Sequence, residues 1–459
     1  MDFQDALQKS IHCFSPSLKL REKQVEALKS IYDGRDAMVV LPTGYGKSVI
    51  YQLLPYLLSC KQFGHCDTLR TVLVISPLNA LILEQVQKLR AIGMKAASLD
   101  VKTKACSEDI SEVELEETDD LKLIETGDIH VLFAHPEAIV SNKDGRSLLI
   151  SRKYRENLVA VAVDEAHCCI DWGYDFRPDY SRLCVLASLF PNIPHLALTA
   201  TATKKYEEAI VSSLCLQNPV RIRENPNRPN IIYEKYLRLP SQSGKESYST
   251  ILEPLAEDLK KRKLDFPLTF IYLPLEWCGY AYILFEHILG NDQFQPANAP
   301  CLPIYRLFNQ YHAPQTAAMK SEILSSLMNS SSSLRVVFAT VALGMGLDCQ
   351  RVRQVIHIGV PKTIEFYFQE TGRAGRDGSL ARAILYYNKS DIALIRNVST
   401  SMRKYCLSSV ECLREILLNH FDFAKSLDDS PKHLCCSVCK ISCTCISCSP
   451  GEDIEMEVV

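Results

Sequence analysis

Asp164 and Glu165 end an apolar run, Leu158–Val163, and set two adjacent carboxylates where chemistry can turn on them. A buried strand that delivers such a pair suits a magnesium–nucleotide enzyme. One carboxylate holds the metal, directly or through water, and the other polarises the attacking water. Trp172, Tyr174, Phe176 and Tyr180 follow at once, interleaved with Arg177. Aromatic faces mixed with a guanidinium suit stacking on unpaired bases and contact with phosphate. With no gap between the halves, one end is expected to sense nucleic acid and the other to respond in hydrolysis.

Upstream, Ala37–Val40 reads as a short buried strand. It runs into Leu41-Pro42-Thr43-Gly44-Tyr45-Gly46-Lys47-Ser48 and an apolar helix through Leu58. Strand, glycine turn and helix are the setting of a phosphate-binding loop. Gly44 and Gly46 let the backbone curl so that its N–H groups face phosphates. Lys47 reaches the outer phosphates, and Ser48, with Asp164, offers oxygen ligands to Mg²⁺. Far downstream, Gln369-Glu370-Thr371-Gly372-Arg373-Ala374-Gly375-Arg376 sets two arginines about one helical turn apart. Across an interdomain cleft such an edge suits a γ-phosphate, with Arg376 as arginine finger and Arg373 as its neighbour.

Rigid elements must hold these groups. Thr71–Ile75 reads as a strand entering Ser76-Pro77-Leu78-Asn79, a loop suited to a phosphate backbone. Val131–Ala134 enters His135-Pro136-Glu137, and Leu196–Leu198 enters the small hydroxylated run Thr199-Ala200-Thr201-Ala202. Leu268–Leu273 and Val336–Thr340 repeat the plan, the latter before Ala342-Leu343-Gly344-Met345-Gly346-Leu347-Asp348. Strands alternating with helices, with polar turns at strand ends, predict parallel α/β sheets. Residues 1–35 carry helical apolar spacing, and Asn225–Asn230 breaks periodicity as a linker would. The acidic residues 107–128 are expected to form a solvated surface helix, and residues 289–304 a local insertion.

The 459 residues predict two or three domains. Net charge is only −3, so nucleic-acid binding has to come from local basic patches. No apolar run approaches a membrane span, and Met1–Gln8 lacks the plan of a signal peptide. The 19 cysteines crowd toward the end, at Cys406, Cys412, Cys435, Cys436, Cys439, Cys443, Cys445 and Cys448. In a reducing compartment such a crowd suits Zn²⁺ in a tetrahedron of thiolates.

These motifs, in this order over residues 20–443, resemble those of the RecQ family of DNA helicases. The resemblance implies two tandem RecA-like α/β domains followed by a small helical zinc-binding module. Its boundaries fall at 1–35 (adenine-recognition segment), 36–224 and 225–398 (the two RecA-like domains), 399–450 (zinc module) and 451–459 (acidic tail). Gln24, with Arg21, is implied to pair with adenine. Thr43, Gly44, Tyr45, Gly46, Lys47, Ser48 and Asp348 are implied to hold ATP. His167 bridges the carboxylates to Thr199-Ala200-Thr201, and Gln369 joins Arg373 and Arg376 as a catalytic candidate. Ser76, Asn79, Trp172, Phe176, Arg177, Thr340 and Gly344 are the implied DNA contacts. The implied zinc ligands are Cys412, Cys436, Cys439 and Cys443. Cys435 is able to replace Cys436, and Cys445 and Cys448 leave alternative pairings open.

Leu41 stands where the general phosphate-loop pattern has Gly, a position that the helicase form of the loop relaxes, and the sequence departs from the family at Pro274-Leu275-Glu276 and at Cys349-Gln350. It stops soon after the cysteines, without the winged-helix and HRDC domains of many RecQ proteins, which is expected to affect unwinding more than translocation. The implied activity is ATP-dependent 3′–5′ movement on single-stranded DNA. Duplexes and junctions would be unwound in repair, recombination or replication, in the nucleus and beside repair and recombination proteins. Lys260-Lys261-Arg262-Lys263 is a weak import patch. The rival readings are an RNA-directed or translocation-only ATPase and a non-catalytic scaffold.

Overall fold

Short runs of β-branched and aliphatic residues, apolar at successive positions, form strands that are covered on both faces, as parallel sheets require. A computed structural model describes the chain except for residues 78, 107–109, 172–176, 345–348, 425–430, 446–447 and 449–459. It divides into two compact units, Met1–Pro226 and Asn227–Val459.

In the first unit seven strands form one parallel sheet. Their spatial order is Ala96–Leu99, Val131–Ala134, Thr71–Ile75, Leu158–Val163, His195–Thr199, Ala37–Val40 and Val220–Arg223. The phosphate-loop strand and the carboxylate strand thus flank the strand that ends at Thr199. In register, Val40 lies beside Thr199 and Val163 beside Ala197. All three strands therefore deliver their loops at the same sheet edge, where open α/β folds bind ligands. The helices Phe3–Phe14 and Glu22–Tyr32 pack on this core through Phe3, Leu7, Leu28 and Ile31.

The acidic stretch departs from the expected helix. Val101–Cys106 and Ile110–Leu115 form an antiparallel pair in which Lys102 lies opposite Glu114. Among the described residues of this stretch only Asp119–Thr126 is helical, capped by Thr118. Cross-strand pairing of opposite charges favours the ribbon over a helix of like charges.

In the second unit six parallel strands run in the order Ile231–Leu237, Ala381–Tyr387, Gln354–Ile358, Thr269–Tyr272, Val336–Ala339 and Phe308–Tyr311. The cysteine-bearing end packs on this sheet's edge. Leu413, Leu417, Phe421, Cys435 and Cys436 share a core with Ile231, Tyr233 and Tyr367, and Tyr233 bridges to Cys436. Residues 289–304 wrap back so that the Arg306 guanidinium sits 5.2 Å from the Phe294 ring centroid and 5.3 Å from that of Tyr282. Among the described residues no helix is long and apolar enough to cross a membrane.

Candidate functional site

The phosphate loop is shaped by two left-handed glycines, Gly44 (φ 81°) and Gly46 (φ 88°), before the helix Lys47–Phe63. Its concave side thus ends at the N-terminus of that helix, the end that favours negative charge. Lys47 Nζ donates to the Leu41 carbonyl at 3.2 Å. Gln24 stands against the loop: Nε2 donates to the carbonyls of Tyr45 (3.1 Å) and Gly46 (2.9 Å), and Oε1 accepts from Arg21 N–H (2.7 Å). A Cβ at Gly46 would lie 2.7 Å from Gln24 Nε2. The amide expected to read adenine is here committed to the loop backbone. Beside it the Arg21 guanidinium lies 4.7 Å from the centroid of the Tyr45 ring.

Asp164 is 6 % exposed and its Oδ1 accepts from Glu165 N–H at 3.0 Å. Glu165 sits at φ 48°, in the left-handed region that a non-glycine residue rarely adopts. Such conformations collect at functional sites. Burial, and then the Glu165 charge, push the Asp164 carboxyl up to about 7, while Lys47 pulls it down. His167 Nδ1 lies 3.1 Å from Thr199 Oγ1 and 3.4 Å from Glu165 Oε2, so one imidazole touches the carboxylate box and the next strand's hydroxyl.

Tyr51, 1 % exposed, was not singled out from sequence. Its hydroxyl lies near Ser48 and Asp164, and burial together with the Asp164 charge holds it well above its ordinary value. Its place one helical turn after Lys47 was the available signal. Buried carboxylates beside a hydroxyl make an oxygen donor set that fits Mg²⁺.

The expected DNA-contact residues divide. Ser76 is buried at 2 % exposure, and its Oγ has no hydrogen-bond partner among the described residues. Arg177, expected on phosphate, is instead turned inward. Its Nε and Nη2 grip Glu137 at 2.7 and 2.6 Å, and Nη1 donates to the Pro77 carbonyl at 2.5 Å. One guanidinium thus ties three segments together, because the half-buried Glu137 carboxylate offers it bidentate geometry. Thr340 Oγ1 accepts from Ala342 N–H at 3.3 Å, and Gly344 closes the short turn Val341–Gly344. Trp172, Tyr174, Phe176, Asp348 and the Asn79 side chain lie outside the described residues.

In the second unit, Gln369 lies on the helix Ile364–Thr371, and the arginine loop follows. Arg373 is 3 % exposed, with Nε and Nη1 lacking hydrogen-bond partners among the described residues. A buried cation with unused N–H groups fits an anionic phosphate. The loop itself is gripped by the former linker. Arg228 donates to the carbonyls of Gly372, Ala374 and Gly375, and Asn230 Nδ2 to those of Gly375 and Ser379. Arg414, 4 % exposed, donates in turn to Asn227 Oδ1 and to the carbonyls of Arg228 and Ile231. From sequence, Arg228 and Asn230 read only as parts of a linker.

The cysteines form two groups. Sulfurs of Cys412, Cys435, Cys436 and Cys439 lie within 4.8 Å of one another. Cys412 Sγ is 3.5 Å from Cys435 Sγ and 4.0 Å from Cys436 Sγ, and the N–H groups of Leu413 and Cys439 donate to Cys436 Sγ. Four soft donors at these separations, with N–H groups aimed at sulfur, fit a structural zinc ion. Cys443 is not among them. It lies 3.5 Å from His433 Nδ1 and 3.5 Å from Cys445 Sγ. The expected ligand set is therefore corrected: Cys435 joins Cys436, because the helix Ser437–Ile441 carries the chain away before Cys443.

Residues 21–209 match the DEAD/DEAH box helicase family, and residues 306–378 the helicase conserved C-terminal domain. The two matches make the chain a two-part helicase core. ATP-dependent DNA helicase Q-like 2 of Arabidopsis thaliana is 32 % identical over 414 residues, 88 % of this chain and 53 % of the relative. The putative ATP-dependent DNA helicase Q1 of Caenorhabditis briggsae is 34 % identical over 460 residues, 96 % of this chain and 66 % of the relative. RecQ-like DNA helicase BLM of Xenopus laevis is 31 % identical over 424 residues, 88 % of this chain but 28 % of the relative. The chain belongs to the RecQ family, and it spans from about a quarter to two thirds of the length of these relatives. Among solved structures, the DUF1998 helicase MrfA bound to DNA aligns with TM-score 0.64 at 15 % identity, covering 93 % of this chain and 54 % of that one. Mycobacterium smegmatis helicase Lhr, bound to ssDNA and AMP-PNP, aligns with TM-score 0.61 at 18 % identity, covering 83 % and 48 %. At these identities the likeness is one of fold.

Proposed function

We propose that this chain is an ATP-dependent DNA helicase that moves 3′–5′ along single-stranded DNA and separates duplexes in DNA repair, recombination or replication in the nucleus. The single observation that carries this reading is the joined set of Lys47, Ser48, Tyr51, Asp164, Glu165, His167 and Thr199 at one sheet edge of a RecQ-family chain.

In this reading the N–H groups of the glycine loop take the phosphates, and Lys47 exchanges the Leu41 carbonyl for the outer phosphates. Ser48 and Asp164 would hold Mg²⁺, which would neutralise phosphate charge. Glu165 orients and polarises the attacking water. His167 conveys the state of the carboxylates to Thr199 through their shared contact. Arg376, with Arg373 beside it, stabilises charge on the transferred phosphoryl group; losing such a finger costs ~10³-fold or more in rate. Cys412, Cys435, Cys436 and Cys439 would hold a structural zinc ion that cross-links the end of the chain to its sheet.

The test is ATP hydrolysis with no nucleic acid, with single-stranded DNA and with single-stranded RNA, beside Glu165→Gln. Strong stimulation by DNA, lost in the variant, is the expected result. Stimulation by RNA alone would overturn the substrate. Absence of hydrolysis by folded, zinc-loaded protein would leave a scaffold.

A further inference from the structure

His433, Cys443, Cys445 and Cys448 form a second four-donor cluster, which the proposed function does not use. Their donor atoms all lie within 4.8 Å of one another. His433 Nδ1 is 3.5 Å from Cys443 Sγ and 3.2 Å from Cys445 Sγ, and the two sulfurs are 3.5 Å apart. Bond lengths of about 2.3 Å to sulfur and about 2.0 Å to nitrogen place tetrahedral zinc donors roughly 3.5–3.8 Å apart. The observed separations of 3.2–3.5 Å fall at and just below the short end of that range. None of the three cysteines is in a disulfide.

The local fold gives a second argument. The described residues of 431–448 contain only the turn Lys432–Leu434 and the short helix Ser437–Ile441 as regular elements. Among their described residues only Cys435 and Cys436 are buried, and both belong to the first cluster. Among the described residues of 443–448 no apolar side chain is buried against residues 432–434. A segment without a core takes its shape from cross-links. The ligand order is also specific. His433 lies two residues before Cys435, yet it pairs with cysteines beyond the helix, so the two groups interleave along the chain.

We propose that this chain carries a second structural zinc site, of Cys₃His type, formed by His433, Cys443, Cys445 and Cys448. Three soft thiolates and an imidazole select Zn²⁺ among abundant divalent ions. The site folds residues 443–448 back onto the 432–434 turn and closes the cysteine-rich end as an interleaved pair of zinc sites.

The test is zinc content per chain of the gel-filtered full-length protein, with Co²⁺ substitution read by its thiolate and ligand-field absorption. Two zinc ions are expected in the wild type and one in C445S/C448S. The ion left in that variant should give the four-thiolate cobalt spectrum. H433C should keep two ions and move the second site's spectrum toward the four-thiolate type, which guards against simple misfolding of the serine variant. One ion in the wild type, unchanged in C445S/C448S, overturns the proposal, as does a disulfide linking Cys443, Cys445 or Cys448 in protein prepared under reducing conditions. C436S, measured alongside, reports on the first cluster alone, so failure there is distinguishable from failure here.

Discussion

The Arg228 guanidinium donates through Nη2 to the Gly375 carbonyl at 2.5 Å, and Asn230 Nδ2 reaches the same oxygen at 2.8 Å. Gly375 sits at φ 56°, and a Cβ there would lie 2.5 Å from Asn230 Nδ2. The backbone between Arg373 and Arg376 is therefore held from below by the segment that begins the second unit.

Arg228→Ala removes donors to three carbonyls at once and frees the loop to shift. Misplacement of a catalytic group by about 1 Å costs up to ~10²-fold. The expected result is a fall in the DNA-stimulated kcat for ATP of ten-fold or more, with KM changed less. Arg228→Lys should recover only part, because an ammonium does not span the same fork of acceptors. Steady-state ATPase on folded variant protein checks this, and an unchanged kcat would sink it.

Lys47, Asp164 and Glu165 were legible in the sequence because their chemistry is written in consecutive residues that follow apolar strands. The parallel sheets followed from the same runs. The Arg177 pairing was not legible, because an arginine among aromatics looks the same whether it faces phosphate or a carboxylate forty residues away, as Glu137 is. Arg228 and Arg414 were hidden for the same reason, since backbone carbonyls as partners leave no mark in a sequence. The cysteine pairing turned on where a five-residue helix points the chain, and two spacings were equally workable until that direction was known. Like charges over residues 107–128 suggested a helix, whereas lysines opposite glutamates on paired strands gave a ribbon.

Tyr51 offers a probe of the metal side of the site. Its hydroxyl lies near Ser48 and Asp164, the two proposed magnesium ligands, on a side chain only 1 % exposed. Tyr51→Phe keeps the ring and its packing and removes only the oxygen. The variant should need several-fold more Mg²⁺ for half-maximal ATP hydrolysis. Its thermal stability without nucleotide should shift by no more than about the 0.5–1.5 kcal/mol of one hydrogen bond. A magnesium titration at saturating ATP and DNA makes the measurement, and an unchanged midpoint would remove Tyr51 from the site.

The Glu137–Arg177 pair predicts a pH dependence of stability. Burial acts to raise the Glu137 carboxyl, but the two hydrogen bonds and the charge of Arg177 outweigh it and hold the group below its ordinary value. A carboxyl depressed on folding contributes stability that is fully present above its unfolded value, about 4.3. That contribution is lost as pH falls through the lower folded value. Glu137→Gln never carries the charge. The gap in unfolding temperature between wild type and E137Q should therefore be constant from pH 6 to 8 and narrow below roughly pH 4. Arg177→Ala should lower stability more than E137Q at neutral pH, since it leaves a part-buried carboxylate without its partner. Thermal unfolding across this range decides the matter: a gap that widened toward acid would mean that Arg177 is not bound to an ionised Glu137.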